Sequence, residues 1–261
     1  MMQVETLRDK AEIRRRLEQD RAWALYALAD LDDGMFEHCS WWSAGDTGLA
    51  LVFHALSIRP LFVTGSEEET RALLAAVAET VPDGSCYLNL RAEMLPVASA
   101  LWSYTERHEM RRMLLGDRYT PSPHAHRAQP LAAAHQSEIE ALYASGTGAG
   151  IAFGGSQLES GLFRGIRDEA TGALIAVAGI HVASAAESVA GVGNVFVRAD
   201  RRSQGLAQAV LSAVVDAVQS LGIATIGLNV EVSNLPAIAA YERLGFATRF
   251  RYFEGAARAR Q

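Results

Sequence analysis

Cysteine is scarce in this chain of 261 residues, with only Cys39 and Cys86 present. That excludes a disulfide framework and any multi-cysteine metal site, and it favours a reduced, cytoplasmic setting. Lysine is scarcer still, since Lys10 stands alone among 24 Lys and Arg residues. Positive charge is not in excess. The formal net charge of −6 argues against a nucleic-acid partner, which calls for a basic face, and mildly favours a cationic or amine substrate. No apolar run reaches the roughly 18 residues that span a bilayer, and Met1–Lys10 has no apolar h-region, so neither membrane association nor secretion is expected. Metal-ligand spacing is missing as well. His124, His126 and His135 form a loose cluster with no Cys partner and no H-E-x-x-H pattern, so no metal is expected.

What remains is the composition of a globular protein, 49% apolar and 21% charged, long enough for one large domain or two ordinary ones. Apolar spacing predicts helix over Thr6–Asp32, broken near Asp20, then strands over Gly48–Leu56 and Arg59–Val63, a helix over Glu67–Thr80, a strand over Ser85–Leu90 and a helix over Leu95–Arg107. Arg111–Leu115 reads as one more strand. The two prolines of Tyr119–His126 mark a linker, dividing the chain into 1–122 and 123–261. The second half reads as a helix at Ala133–Ala144, a Gly-rich loop at Ser145–Gly155 and strands at Leu162–Arg167, Leu174–Val182 and Val189–Val197. A helix at Ser203–Leu221, a strand at Ala224–Glu231, a helix at Leu235–Leu244 and a strand at Ala247–Phe253 complete it. Both halves share an order of strands, helix, strand and helix, as two copies of one α/β architecture would.

The segment Asn194–Leu211 carries the most chemistry. A strand breaks into the turn Arg202-Ser203-Gln204-Gly205-Leu206-Ala207 and becomes a helix at once. The N–H groups of such a turn have no intrahelical partner and the helix dipole adds positive potential, which suits a phosphate. Gly205 admits an unusual φ, and the small Ala207 lets an anion approach the backbone. Gly146–Gly150 follows a helix rather than a strand and lacks G-x-G-x-x-G spacing, so it reads as a flexible acceptor-side loop.

Arg202, Gly205 and Ala207 fill the pattern R/Q-x-x-G-x-G/A. Asn234, Ala237, Tyr241, Gly245 and Phe246 fill N-x-x-A-x-x-x-Y-x-x-x-G-F. Together, over roughly Arg127–Glu254, these motifs resemble the GNAT superfamily of acyl-CoA N-acyltransferases. The resemblance implies two GNAT-like domains, each a mixed, mostly antiparallel central sheet flanked by helices. It implies acetyl-CoA or another acyl-CoA as co-substrate, a small-molecule or peptide amine as acceptor, and direct attack of the amine on the thioester. Backbone at Val195, Phe196 and Val197 would hold the pantetheine arm, on a strand splayed from Ile226–Val230. The Arg202–Ala207 turn, with Ser203, Gln204 and Leu206 in its backbone, would hold the pyrophosphate. Asn234 and Ala237 would contact the cofactor, and Tyr241, on the same helix face as Asn234, would protonate the leaving sulfur.

The general base departs from the family pattern. Relatives that acetylate protein N-termini often carry Glu where this chain has Asn229, which accepts no proton near neutral pH. Glu231, Glu187 and His181 remain open as bases, beside a water relay through Asn194 or Asn229 and an amine that arrives neutral. Asn229 also leaves open a second reading, a CoA-binding regulator or sensor. The corresponding turn of the first half, after Gly65, carries Glu67, Glu68 and Glu69 in the first helical turn, where they complement the dipole and repel a pyrophosphate. A degenerate first half with a competent second half is similar to the glycine N-acyltransferase-like branch. Phe36, Trp41 and Trp42 read as packing before acceptor lining.

Overall fold

The computed structural model describes residues 2–146 and 153–260. Of the Gly146–Gly150 loop, only Gly146 falls among them. The chain forms two compact units, one from residues 1–112 with 249–261 and one from residues 113–248. This differs from the division at 122 read from the prolines. Prolines interrupt regular structure without loosening packing, and here Tyr119 Oη lies 2.8 Å from Asp216 Oδ1 while Ser122 N–H donates to Ser212 Oγ at 2.9 Å.

The first unit contains β1 (Val4–Thr6), α1 (Lys10–Leu17), α2 (Leu25–Ala29), α3 (Asp33–Phe36), β2 (Cys39–Ala44), β3 (Gly48–Phe53), β4 (Pro60–Thr64), α4 (Glu67–Thr80), β5 (Ser85–Arg91), α5 (Leu95–Leu101) and β6 (Trp102–Tyr104). β7 (His108–Leu115) leads into the second unit, which contains β8 (Gln129–Leu131), α6 (Gln136–Ala144), β9 (Phe163–Arg167), β10 (Leu174–Ser184), β11 (Val189–Val197), α7 (Leu206–Ser220), β12 (Thr225–Glu231) and α8 (Leu235–Arg243). β13 (Phe246–Ala259) returns the chain to the first unit.

In the first unit β1 to β4 pair antiparallel in sequence order, β4 and β5 pair parallel, and β13 closes antiparallel on β5 from Tyr252↔Arg91 to Arg258↔Ser85. In the second, β8 to β11 pair antiparallel in order and β11 and β12 pair parallel. Each unit thus holds a strand, turn, helix and parallel strand in succession, β4–α4–β5 and β11–α7–β12. α7 buries Leu206, Ala209, Val210, Val214, Val215 and Val218, the stripe that helical periodicity places on one face.

Three local readings change. β2 lies where no strand was read, and it buries Trp41 and Trp42 at 3% and 9% exposure. The helix read over Leu95–Arg107 stops at Leu101, because Trp102 and Tyr104 suit a pleated edge and Trp102 Nε1 anchors to Leu74 O at 3.1 Å. The last strand runs on past Phe253 to Ala259, since pairing with β5 and β6 overrides the low strand propensity of Ala256-Ala257-Arg258-Ala259.

The turn into α4 is closed by its own residues. Glu69 N–H donates to Ser66 Oγ at 3.3 Å, and the Glu69 carboxylate accepts from Ser66 N–H at 2.7 Å, Thr47 N–H at 3.0 Å and Thr47 Oγ1 at 2.5 Å. This is a capping box extended to a second loop. Gly45 and Gly48 make room for it, since a Cβ there would approach Glu69 Oε1 to 2.4 Å and Glu69 Cβ to 2.8 Å. Burial pushes the Glu69 pKa up, but the hydrogen bonds from Thr47 and Ser66 outweigh it and hold the pKa at about 2. A native pKa below the ordinary 4.5 means stabilisation that is complete above that value and lost as pH falls toward about 2. Glu69→Ala is therefore expected to cost about 2 kcal/mol in urea denaturation at pH 7, and to lose this portion of the acid dependence seen in the parent.

Candidate functional site

The β11–β12 ladder is short. It runs from Val189↔Thr225 through Ala190↔Ile226 to Gly191↔Gly227 and stops, while β11 continues to Val197 and β12 to Glu231. β10 holds β11 on the opposite edge, and there the register slips. Between Val177↔Phe196 and Gly179↔Gly193 the strand β11 carries one residue more than its partner, and between Ile180↔Val192 and Val182↔Gly191 the extra residue is on β10. Bulges bend the strand that carries them. Asn194 lies in the first, with φ 53°, and His181 in the second. The backbone of Val195 and Phe196 is thereby left unpaired with β12, as an added extended chain would need.

Past Val197 the chain makes a helical turn at Ala199–Arg201 and then the turn into α7. Ser203 and Gly205 both have positive φ, 62° and 73°, flanking Gln204. Alternating conformations of this kind turn successive N–H groups into one concavity. α7 has no side-chain cap at Gly205, and among the described residues the N–H groups of 203–208 donate to no protein acceptor. A Cβ on Gly205 would meet nothing closer than Gln208 Oε1 at 3.9 Å, so the space over the turn is open. Arg202, Ser203 and Gln204 are exposed, whereas Leu206 is buried and Ala207 half-buried. Neighbouring arginines are tied down. Arg201 pairs with Asp168 at 2.5 Å and Arg198 with Asp200 at 2.7 Å, while Arg202 Nε reaches Val197 O at 3.3 Å. Asp168 also accepts from Thr171 Oγ1, Thr171 N–H and Ala170 N–H, and these bonds together with Arg201 hold its carboxyl below the usual range. Residue types and backbone conformation here fit a diphosphate.

α8 begins with Asn234, whose Oδ1 accepts from Ala237 N–H at 3.2 Å, and it has Pro236 in its first turn. It ends at Gly245, φ 96°, where a Cβ would fall 2.7 Å from Arg118 O. Tyr241 sits one turn beyond the buried Ile238, edge-on to Phe246 at 6.3 Å. It is 9% exposed, and burial pushes its pKa to about 12. Its hydroxyl bonds no protein group among the described residues, yet it is not among the sealed, unpartnered polar atoms. Tyr241 therefore keeps a protonated hydroxyl that is not fully sealed within the core. Gln208 Nε2 ties α7 to Ala240 O at 3.4 Å.

The base candidates do not converge. Glu231 is exposed at the end of β12 and Asn229 half-buried two residues earlier. Glu187 is buried beside the β10–β11 turn. The His181 ring lies over Gly193, where a Cβ would come 2.1 Å from Nε2, and burial holds its pKa near 4, so it stays neutral at pH 7. Elsewhere, His126 Nδ1 is 2.9 Å from Pro123 O, and His135 Nδ1 accepts from Ala132 N–H at 3.0 Å. No group of three His, Cys, Asp or Glu side chains is arranged for a metal among the described residues, and no described helix is long and apolar enough to cross a membrane. Sequence reasoning missed Asp168, Tyr143 and Gln157. Tyr143 Oη donates to Asn194 O at 2.8 Å, and Gln157 Oε1 accepts from Asn194 Nδ2 at 3.2 Å. Nothing in their local sequence distinguishes them from surface residues.

Residues 133–246 match the model of the acetyltransferase (GNAT) family. The [ribosomal protein bS18]-alanine N-acetyltransferase of Escherichia coli K12 is 45% identical over 53 residues, covering 20% of this chain and 36% of that protein. The chain thus spans little more than a third of the length of the curated relatives it matches. A GNAT-family structure from Novosphingobium aromaticivorans superposes with a TM-score of 0.65 at 18% identity, over 93% of this chain and 100% of that one. A tandem GNAT protein from the clavulanic acid biosynthesis pathway does so with a TM-score of 0.59 at 13% identity, over 99% and 98%. Likeness at such low identity speaks for the fold, and the match to the GNAT acetyltransferase family falls on residues 133–246, within the unit that holds the open turn.

Proposed function

We propose that this protein is an acyl-CoA-dependent N-acyltransferase, with acetyl-CoA as donor and a primary amine, on a small molecule or a peptide, as acceptor. The observation that carries this reading is the open turn of Ser203–Gln208 following the unpaired edge of β11. N–H groups of Gln204–Ala207 bind the pyrophosphate, aided by the Arg202 guanidinium, and backbone of Val195, Phe196 and Val197 binds the pantetheine arm as an added strand. Asn234 and Ala237 line the cofactor at the start of α8. A peptide acceptor draws support from the E. coli relative, whose name gives an alanine of a ribosomal protein as its substrate.

In the reaction the neutral amine nitrogen attacks the thioester carbonyl carbon. A C–N bond forms, the C–S bond breaks, and the sulfur takes a proton from the Tyr241 hydroxyl. The raised pKa of Tyr241 keeps that proton in place at neutral pH, as a general acid requires. The ammonium proton of the tetrahedral intermediate leaves to water or to Glu231, and a proton from solvent restores the Tyr241 hydroxyl. The first unit takes no acyl-CoA, because the Glu69 carboxylate already accepts from its turn.

Tyr241→Phe is expected to lower kcat roughly 100-fold with acetyl-CoA affinity unchanged in calorimetry, and undiminished turnover would remove the assigned acid. Thiol release from acetyl-CoA across an amine panel separates a transferase from a CoA-binding regulator, which would bind and stay silent. Gly205→Val places a branched side chain at φ 73° and over the turn, so acetyl-CoA affinity is expected to fall at least about tenfold. Ser203→Gly, which alters only a side chain, should leave it near the parent value.

A further inference from the structure

The bulge at Asn194 is held by more hydrogen bonds than its own backbone provides. A left-handed non-glycine residue is strained and persists where its surroundings fix it. Tyr143 Oη donates to Asn194 O at 2.8 Å, and the Asn194 amide donates to Ile180 O at 3.1 Å and Gln157 Oε1 at 3.2 Å. Gln157 is itself fixed, since its Oε1 accepts from Gly154 N–H at 3.2 Å and its Nε2 reaches His181 O at 3.5 Å. One glutamine therefore joins the bulge of β11 to the bulge of β10. The Tyr143 ring has little freedom, lying 5.5 Å from Phe153 and 5.8 Å edge-on to Phe196. The space is full, because a Cβ on Gly146 would fall 2.6 Å from Phe196 Cζ.

We propose that Tyr143, Asn194 and Gln157 form a clamp that sets where β11 leaves β12, and that they are positioning residues for the acyl transfer. The inference rests on the transferase reading above. Asn194 lies between Gly191, where the β11–β12 ladder ends, and Val195–Val197, the backbone assigned to the donor's arm. The clamp thus acts at the thioester end of the donor, away from the turn that binds the pyrophosphate. Loosening it moves the thioester relative to Tyr241 and leaves the largest binding contribution intact, which separates kcat from affinity.

The test uses Tyr143→Phe, which keeps the ring packing and removes one donor, and Asn194→Gly, which keeps φ accessible and removes the side-chain donors. Amide hydrogen exchange is followed over residues 192–197 of the free protein, and kcat and the Kd for acetyl-CoA are measured with an alanyl peptide or another amine that the parent accepts. The expected result for both variants is exchange faster by about tenfold, a kcat lower by about tenfold, and a Kd within about twofold of the parent. Unchanged exchange overturns the clamp. Faster exchange with parental kcat overturns the positioning role, and so does a loss confined to Kd. A parent that releases no thiol with any amine overturns the transferase reading and the catalytic consequence with it, while the exchange result still decides whether the clamp holds the bulge.

Discussion

The first N–H groups of a helix need acceptors, and the two units of this chain meet that need in opposite ways. In β4–α4–β5 the Glu69 carboxylate folds back and accepts from Ser66 and Thr47. In β11–α7–β12 the helix begins at an uncapped glycine, and among the described residues the amides of 203–208 donate to no protein acceptor. The same supersecondary unit is thus built once with its anion inside and once with its first amides left without a protein acceptor, the turn for which an anion from solution is proposed. A carboxylate supplied by the chain stabilises the fold at all times, whereas an open turn gives up that stabilisation for a ligand to supply. The assignment of donor binding to the second unit depends on this difference.

The open turn is useful only because of what precedes it. The parallel ladder between β11 and β12 ends at a pair of glycines, and the following bulge turns β11 so that its edge is free for several residues. A free strand edge is normally a hazard that proteins cover. Here it leads directly into the turn, so on the proposed reading an extended chain ending in a diphosphate would find backbone partners along its length. Asp168 and Arg201 tie down the start of the turn, and Asn234 and Gln208 fix α8, which carries Tyr241.

Much of this was legible in the sequence. The turn at Arg202–Ala207 and the helix start at Asn234 are local features, written in glycine, asparagine and proline at fixed spacing, and local chemistry survives folding unchanged. The alternation of strands and helices in the second half could be read for the same reason, since α7 and β12 carry clean apolar periods. The first half was less transparent. β2 carries two tryptophans in a row and hides its alternation, while the Ala-rich end of β13 becomes a strand only through its partners. The capping box was half visible: three glutamates announced a filled turn, but that Glu69 also reaches Thr47 depends on a contact across 22 positions.

By itself the sequence determined the family pattern, the place of the anion turn and the residue types that would serve it, because these follow from short-range backbone chemistry. The tertiary structure decided which amides are free, where β11 parts from β12, and which side chains support the parting. Tyr143, Gln157 and Asn194 are far apart in the chain, and a hydrogen bond between distant residues exists only once packing has brought donor and acceptor together.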